Sequence, residues 1–181
     1  MKWVWFLLAA YAFAGDAKFS KDGELALPAD YREWIFLSSG LGMTYGPNAP
    51  AAGAPLRFDN VYVNPSSYRA FQKTGAWPEG TMFILEIRGS TSEGSINRGG
   101  HFQTSLVAVE AEVKDTKRFK EGWAYFDFPV KDGATATSAK AIPPGSRCVQ
   151  CHSKNGKVEN TFVQFYPSLI DTAKAKGTWK N

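Results

Sequence analysis

Met82-Phe83-Ile84-Leu85-Glu86-Ile87-Arg88 sets Phe83, Leu85 and Ile87 against Met82, Ile84 and Glu86. In an extended chain successive side chains point to opposite faces, so the two sets mark the two sides of a β-strand. The pattern continues outward from this stretch. Downstream, residues 102–113 place Val107, Val109, Ala111 and Val113 on one side, and residues 123–128 are rich in the aromatic side chains that favour strands. Upstream, residues 58–63 bring Phe58, Val61 and Val63 next to a turn-rich flank. Residues 89–100 are mostly Gly, Ser, Thr and Asn, which suits a hairpin connection. Helices are short and punctuated: Asn64 as N-cap, Pro65 at the first position and Gly75 as the stop enclose one over residues 65–73. A second begins near Ser146, and a third covers residues 168–176 before Gly177. Strands in succession, without regular strand-helix-strand spacing, predict an α+β fold, mainly antiparallel β-sheet with a few short helices, in a single domain.

A chain of 181 residues, 44% hydrophobic, fills one core and is too short to make two domains the natural reading. Residues 1–14 carry Lys2, an apolar run from Trp3 to Ala12, and Ala12-Phe13-Ala14 as a small-x-small cleavage site. This is the pattern of a secretory signal peptide, against which stand a retained anchor or a buried first helix. The expectation is an exported, periplasmic protein whose mature domain covers residues 15–181. No other stretch approaches the roughly 20 apolar residues of a spanning helix, so no membrane span is expected after cleavage. Removing residues 1–14 takes away Lys2 and no acid, lowering the net charge from +4 to +3. The basic residues are scattered among acids, which argues against a nucleic-acid or anionic-membrane footprint.

The chemistry is concentrated in Cys148-Val149-Gln150-Cys151-His152. C-x-x-C-H is the sequence mark of c-type haem attachment. Two thiols three positions apart on one helical turn can add to the two vinyl groups of one porphyrin edge, and the adjacent imidazole is then placed to ligate the iron. The expected assignment is one covalently bound haem c, with Cys148 and Cys151 as attachment points and His152 as the proximal iron ligand. Three other readings compete. A disulfide between these cysteines would close only a tiny loop and leave His152 a coincidence. A thioredoxin-like pair needs a strand before it, where the sequence has Pro143-Pro144-Gly145. A zinc site needs two further ligands, and His101 is the only other histidine.

No Met or His follows His152, so the sixth iron ligand that small electron-transfer cytochromes take from downstream is missing. Met43, Met82 and His101 remain upstream candidates, each with core packing or the surface as its alternative. An open sixth position is the favoured reading, and it implies small-ligand binding or chemistry more than electron shuttling alone. The four-helix-bundle cytochromes c-prime also carry a late C-x-x-C-H, but the strand periodicity of residues 82–128 does not fit a bundle.

The chain resembles the cytochrome P-460 family, which includes the β-sheet cytochromes c-prime-beta. The resemblance runs through Leu27-Pro28-Ala29-Asp30-Tyr31-Arg32-Glu33-Trp34, Val61-Tyr62-Val63-Asn64-Pro65-Ser66-Ser67-Tyr68, and Gly80-Thr81-Met82-Phe83-Ile84-Leu85-Glu86. It continues through Val109-Glu110-Ala111-Glu112-Val113-Lys114-Asp115, Trp123-Ala124-Tyr125-Phe126, the haem motif and Phe165-Tyr166-Pro167. Each block is short; their order around C-x-x-C-H makes the match specific. The resemblance implies a homodimer and a five-coordinate haem open on its distal side. It also implies a fork between hydroxylamine-oxidising members, with a strand lysine cross-linked to the porphyrin, and c-prime-beta members, which cap the iron with apolar side chains and bind nitric oxide or carbon monoxide. The lysine's place falls on Leu85, and no lysine occurs between Gly75 and Lys114. This places the chain nearer the c-prime-beta members.

Phe83 and Leu85 are accordingly candidates for an apolar distal lid, with Phe36 a third. Glu86 and Glu110 are candidate proton acceptors, and Arg57, Arg88, Arg98 and Arg147 candidate partners for haem propionates. The leading functional expectation is the binding of nitric oxide or similar diatomic and nitrogen-oxide ligands. The alternatives are a haem oxidoreductase acting on hydroxylamine or nitric oxide, passing electrons to a partner cytochrome, and a plain electron carrier.

Overall fold

The structure, a computed structural model, describes residues 17–45 and 53–181. The secretory signal expected in residues 1–14 lies outside the described residues. In chain order the strands are β1 (Leu25–Ala26), β2 (Ile35–Leu41), β3 (Arg57–Val63), β4 (Met82–Thr91), β5 (Phe102–Lys114), β6 (Trp123–Phe128), β7 (Val130–Lys131), β8 (Ala134–Thr135) and β9 (Ser138–Ala139). Three α-helices accompany them: α1 (Pro65–Thr74), α2 (Arg147–Asn155) and α3 (Pro167–Ala175). Strands β2 to β6 form one antiparallel meander in sequence order, and β1 pairs with β9 beside it. The α+β architecture expected from the alternation is what the chain adopts. No helix among the described residues is long and apolar enough to cross a membrane.

The period-2 pattern gives the sheet two buried faces. On one, Met82, Ile84, Val109, Ala111, Val113 and Phe126 pack against Leu25, Tyr31 and Trp34 of the N-terminal segment. On the other, Phe83 and Tyr125 pack against Phe71, Trp77, Val163, Tyr166 and Leu169 of the helical layer. Each fully buried large side chain contributes roughly 1.5–3 kcal/mol. Gly75 ends α1 with φ of 74°, a left-handed conformation that a side chain would disfavour. Asn64 occupies the cap position of α1 but turns its side chain to the next strand, where Oδ1 accepts from Met82 N at 3.0 Å.

Strand β2 has no counterpart in the sequence reading, because Ser38, Ser39 and Gly40 interrupt the apolar alternation. A bulge between Phe36 and Ser38 shifts its register: Phe36 faces Tyr62, whereas Ser38 faces Val61. Phe36 is thus turned to the Tyr62 face, with ring centroids 5.7 Å apart and 52% of its surface exposed. It is no part of a distal lid.

Glu86 also departs from expectation. Only 2% exposed, it lies on the N-terminal face and binds the Tyr31 hydroxyl at 2.5 Å, Arg32 Nε at 2.7 Å and Arg88 Nε at 2.5 Å. Burial works against the carboxylate, but the bonds from Arg88, Tyr31 and Arg32 outweigh it and hold its pKa below the ordinary 4.5. Arg88 is thereby committed as well, since its Nη1 also donates to Thr104 O.

A folded-state pKa below the unfolded one means stabilisation that is complete above pH 4.5 and lost as pH falls through the depressed value. Urea titrations across this range should show wild-type stability declining on the acid side. Glu86→Gln should be about 1–3 kcal/mol less stable at pH 7 and should show a flatter acid limb.

Candidate functional site

Pro143-Pro144-Gly145 excludes a continuous helix before Ser146, whose hydroxyl then accepts from Val149 N and starts α2. Within α2, Cys148, Cys151 and His152 stand at i, i+3 and i+4, so all three occupy one face. The helix stops at Gly156, where a Cβ would lie 2.7 Å from the Asn160 carbonyl carbon, 2.8 Å from His152 O and 2.8 Å from Thr161 N. All of these are backbone atoms, so only glycine allows the chain to turn back this closely under the helix end.

That turn delivers a carbonyl to the histidine. His152 Nδ1 lies 2.9 Å from Asn160 O, and its ring is held between Tyr125 and Phe162 at centroid distances of 4.5 and 4.3 Å. A second acceptor, Glu112 Oε2, is 3.5 Å from the same nitrogen. Two acceptors at Nδ1 favour the tautomer with the proton there, which leaves the Nε2 lone pair for a metal. The turn itself is pinned by Glu159, which accepts from Trp77 N and Trp123 Nε1 and pairs with Lys114 Nζ at 2.7 Å.

Cys148, Cys151 and His152 line a cavity of about 300 Å³ between α2 and the helical face of the sheet. The sheet contributes Val61, Phe83 and Leu85, the segment after α2 contributes Phe162, Phe165 and Tyr166, and β2 with the residues after it contributes Ser38, Gly40, Met43 and Tyr45. Three acids also reach it: Asp59, Glu110 and Glu112. Burial pushes all three carboxyls up, the neighbouring Asp127 adds to the effect at Glu110, and a hydrogen bond from Tyr45 opposes it at Asp59. At His152, burial disfavours the imidazolium, but Glu112 and the Asn160 carbonyl outweigh it and hold its pKa above the ordinary value. Burial, with Glu110 next, raises the Cys148 thiol.

The two thiols are not joined to each other. A raised Cys148 pKa is also opposite to what a redox-active pair requires, and among the described residues no group of three or more metal-binding side chains forms. The mostly apolar walls, two free thiols at one edge and an imidazole with Nδ1 engaged suit a flat, apolar, iron-bearing macrocycle. A family model for cytochrome P460 matches residues 28–163. The chain belongs to the cytochrome P460 family. It is accordingly a cytochrome, with haem as its cofactor. Comparison with curated proteins finds no match.

The fold of this cytochrome brings together Cys148, Cys151, His152, Phe83, Leu85 and Glu110 around one cavity. Phe36 and Glu86 face the other side of the sheet. Of the candidate sixth ligands, Met82 is buried on that far face, His101 lies exposed beside the β4–β5 connection, and Met43 lines the cavity. Arg147 also lines it, donating from Nη2 to Tyr45 O at 3.2 Å. Glu112, Asn160, Tyr125 and Phe162 escaped the sequence reading. For Glu112 a signal existed: an acid alternating with Val109, Ala111 and Val113 in a long apolar strand faces a second interior if the sheet is covered on both sides.

Gly156→Ala should cost about 1–3 kcal/mol from overpacking and should displace Asn160 O from His152. The checks are thermal unfolding and the haem content per chain after co-expression with c-type maturation machinery, both of which should fall.

Proposed function

We propose that this protein is an exported, single-haem c-type cytochrome of the c-prime-beta kind, which binds nitric oxide or a similar small ligand. One haem is attached through Cys148 and Cys151, with His152 as the proximal ligand. The observation that carries this reading is His152 itself: its Nδ1 is engaged by Asn160 O while both cysteines share its cavity. The haem iron supplies the ligand-binding and one-electron chemistry. The chain's residues do the rest: Asn160 fixes the imidazole, Tyr125 and Phe162 hold its plane, and the apolar walls exclude water. Phe83 and Leu85 are adjacent on β4 and cap the cavity from the sheet side, which favours diatomic gases over polar ligands. Export is supported by the signal pattern in residues 1–14, and the same reading carries a homodimeric assembly.

A second reading, oxidation of hydroxylamine or nitric oxide with transfer of electrons to a partner cytochrome, is favoured by one observation. Glu110 lies directly across from Leu85 in the β4–β5 register and lines the cavity, with its carboxyl pushed up by burial. A carboxylate in that position can accept a proton from a bound substrate. Against it stands Leu85, which cannot make the lysine cross-link of the hydroxylamine-oxidising members.

Optical spectra of the haem-loaded protein separate the two. The first reading predicts a five-coordinate high-spin spectrum that shifts with nitric oxide and is not reduced by hydroxylamine. Reduction by hydroxylamine, with a red-shifted ferrous band, would establish the second. Leu85→Lys should alter the haem spectrum toward that of the cross-linked members, and an unchanged spectrum would remove Leu85 from the pocket.

A further inference from the structure

Across strands β3 to β6, Val63, Phe83, Glu112 and Tyr125 stand in one row on the helical face of the sheet. Glu112 is the one acid in that row and is only 8% exposed. Among the described residues its Oε1 makes no hydrogen bond of good geometry, and neither does the hydroxyl of Tyr125, with which it interacts. A buried carboxylate with an unsatisfied oxygen destabilises a fold, and an apolar side chain would serve this row better. Sheet formation therefore gives no reason for an acid at this position.

The surroundings give one. Glu112 Oε2 faces His152 Nδ1 at 3.5 Å, while Asn160 O, at 2.9 Å, takes the hydrogen bond from that nitrogen. Among the described residues no arginine or lysine is paired with Glu112; Lys114, two residues along β5, is paired with Glu159 instead. In its ionised form the carboxylate directs its charge at the back of the imidazole. A negative charge there strengthens the donation of electron density from the other ring nitrogen and favours the more positive state of whatever metal that nitrogen holds.

We propose that Glu112 is a positioning and tuning residue for the proximal ligand, acting through the charge of its carboxylate on the His152 Nδ1–H to give the imidazole partial imidazolate character and hold down the haem's reduction potential. The proposal rests on His152 being the iron ligand and is independent of which small molecule the site takes. Asn160 sets the ring's orientation; Glu112 sets its basicity. Tyr125, packed on the ring, shields the pair from water.

The test compares haem-loaded wild type with Glu112→Gln, which keeps the shape and removes the charge. Spectroelectrochemistry should show the ferrous-to-ferric ratio at a fixed applied potential rising about tenfold, a shift of ~59 mV for a one-electron couple. Resonance Raman of the ferrous form should show the iron–histidine stretch moving to lower frequency. An unchanged potential and an unchanged stretch would overturn the proposal, since a packing role alone moves neither. If Glu112→Gln fails to incorporate haem, Glu112→Asp carries the test. It retains the charge but withdraws it by one methylene, so both readouts must move in the same directions by less, and unchanged values overturn the proposal. Absence of any iron–histidine stretch from wild type would instead overturn the assignment of His152, an outcome visible before any variant is compared.

Discussion

The register of β4 against β5 is the constraint on which the site depends. Pairing Phe83 with Glu112 and Leu85 with Glu110 puts two apolar side chains and two carboxyls on one face, while Met82, Ile84, Val113 and Ala111 close the other. A slip of one residue would turn Glu86 into the cavity and expel Phe83 and Leu85 to the far side. The Glu86 cluster with Tyr31, Arg32 and Arg88 resists that slip, because a carboxylate so surrounded has no comparable environment on the opposite face. An ionic network remote from the chemistry thus sets which side chains line the cavity.

The helical layer is tied to this sheet by a second set of polar contacts beneath α2. Glu159 holds a left-handed conformation at φ 51° and gathers Trp77, Trp123 and Lys114 around its carboxylate. With Gly156 allowing the tight return, Asn160 is left with its carbonyl under the His152 ring. The imidazole is therefore oriented by a loop whose own geometry is referred back to the α1–β4 connection, β5 and β6, and not by α2 alone.

Much of this was legible in the sequence. Period-2 alternation located β3 to β6, the Pro and Gly punctuation located α1 and α3 within a residue or two, and Ser146 marked the start of α2. Cys148, Cys151 and His152 of the C-x-x-C-H motif line one edge of the cavity, and they stood out because their chemistry is local. What escaped depended on distance in the chain. Strand β2 is weak in apolar residues and acquires its form by pairing with β3, and its bulge reversed the side on which Phe36 falls. The exclusion of Glu86 and the inclusion of Glu112 follow from which face each residue takes in a sheet covered on both sides, and alternation alone does not say which face meets the motif. Asn160 contributes a backbone carbonyl, a group every residue carries and no sequence distinguishes.

Cys148 and Cys151 share a helix face three residues apart, and although Cys148 is exposed, the partial desolvation of its sulfur and the Glu110 carboxylate both oppose its ionisation. Disulfide exchange proceeds through the thiolate, so both effects work against this sulfur as an attacking nucleophile.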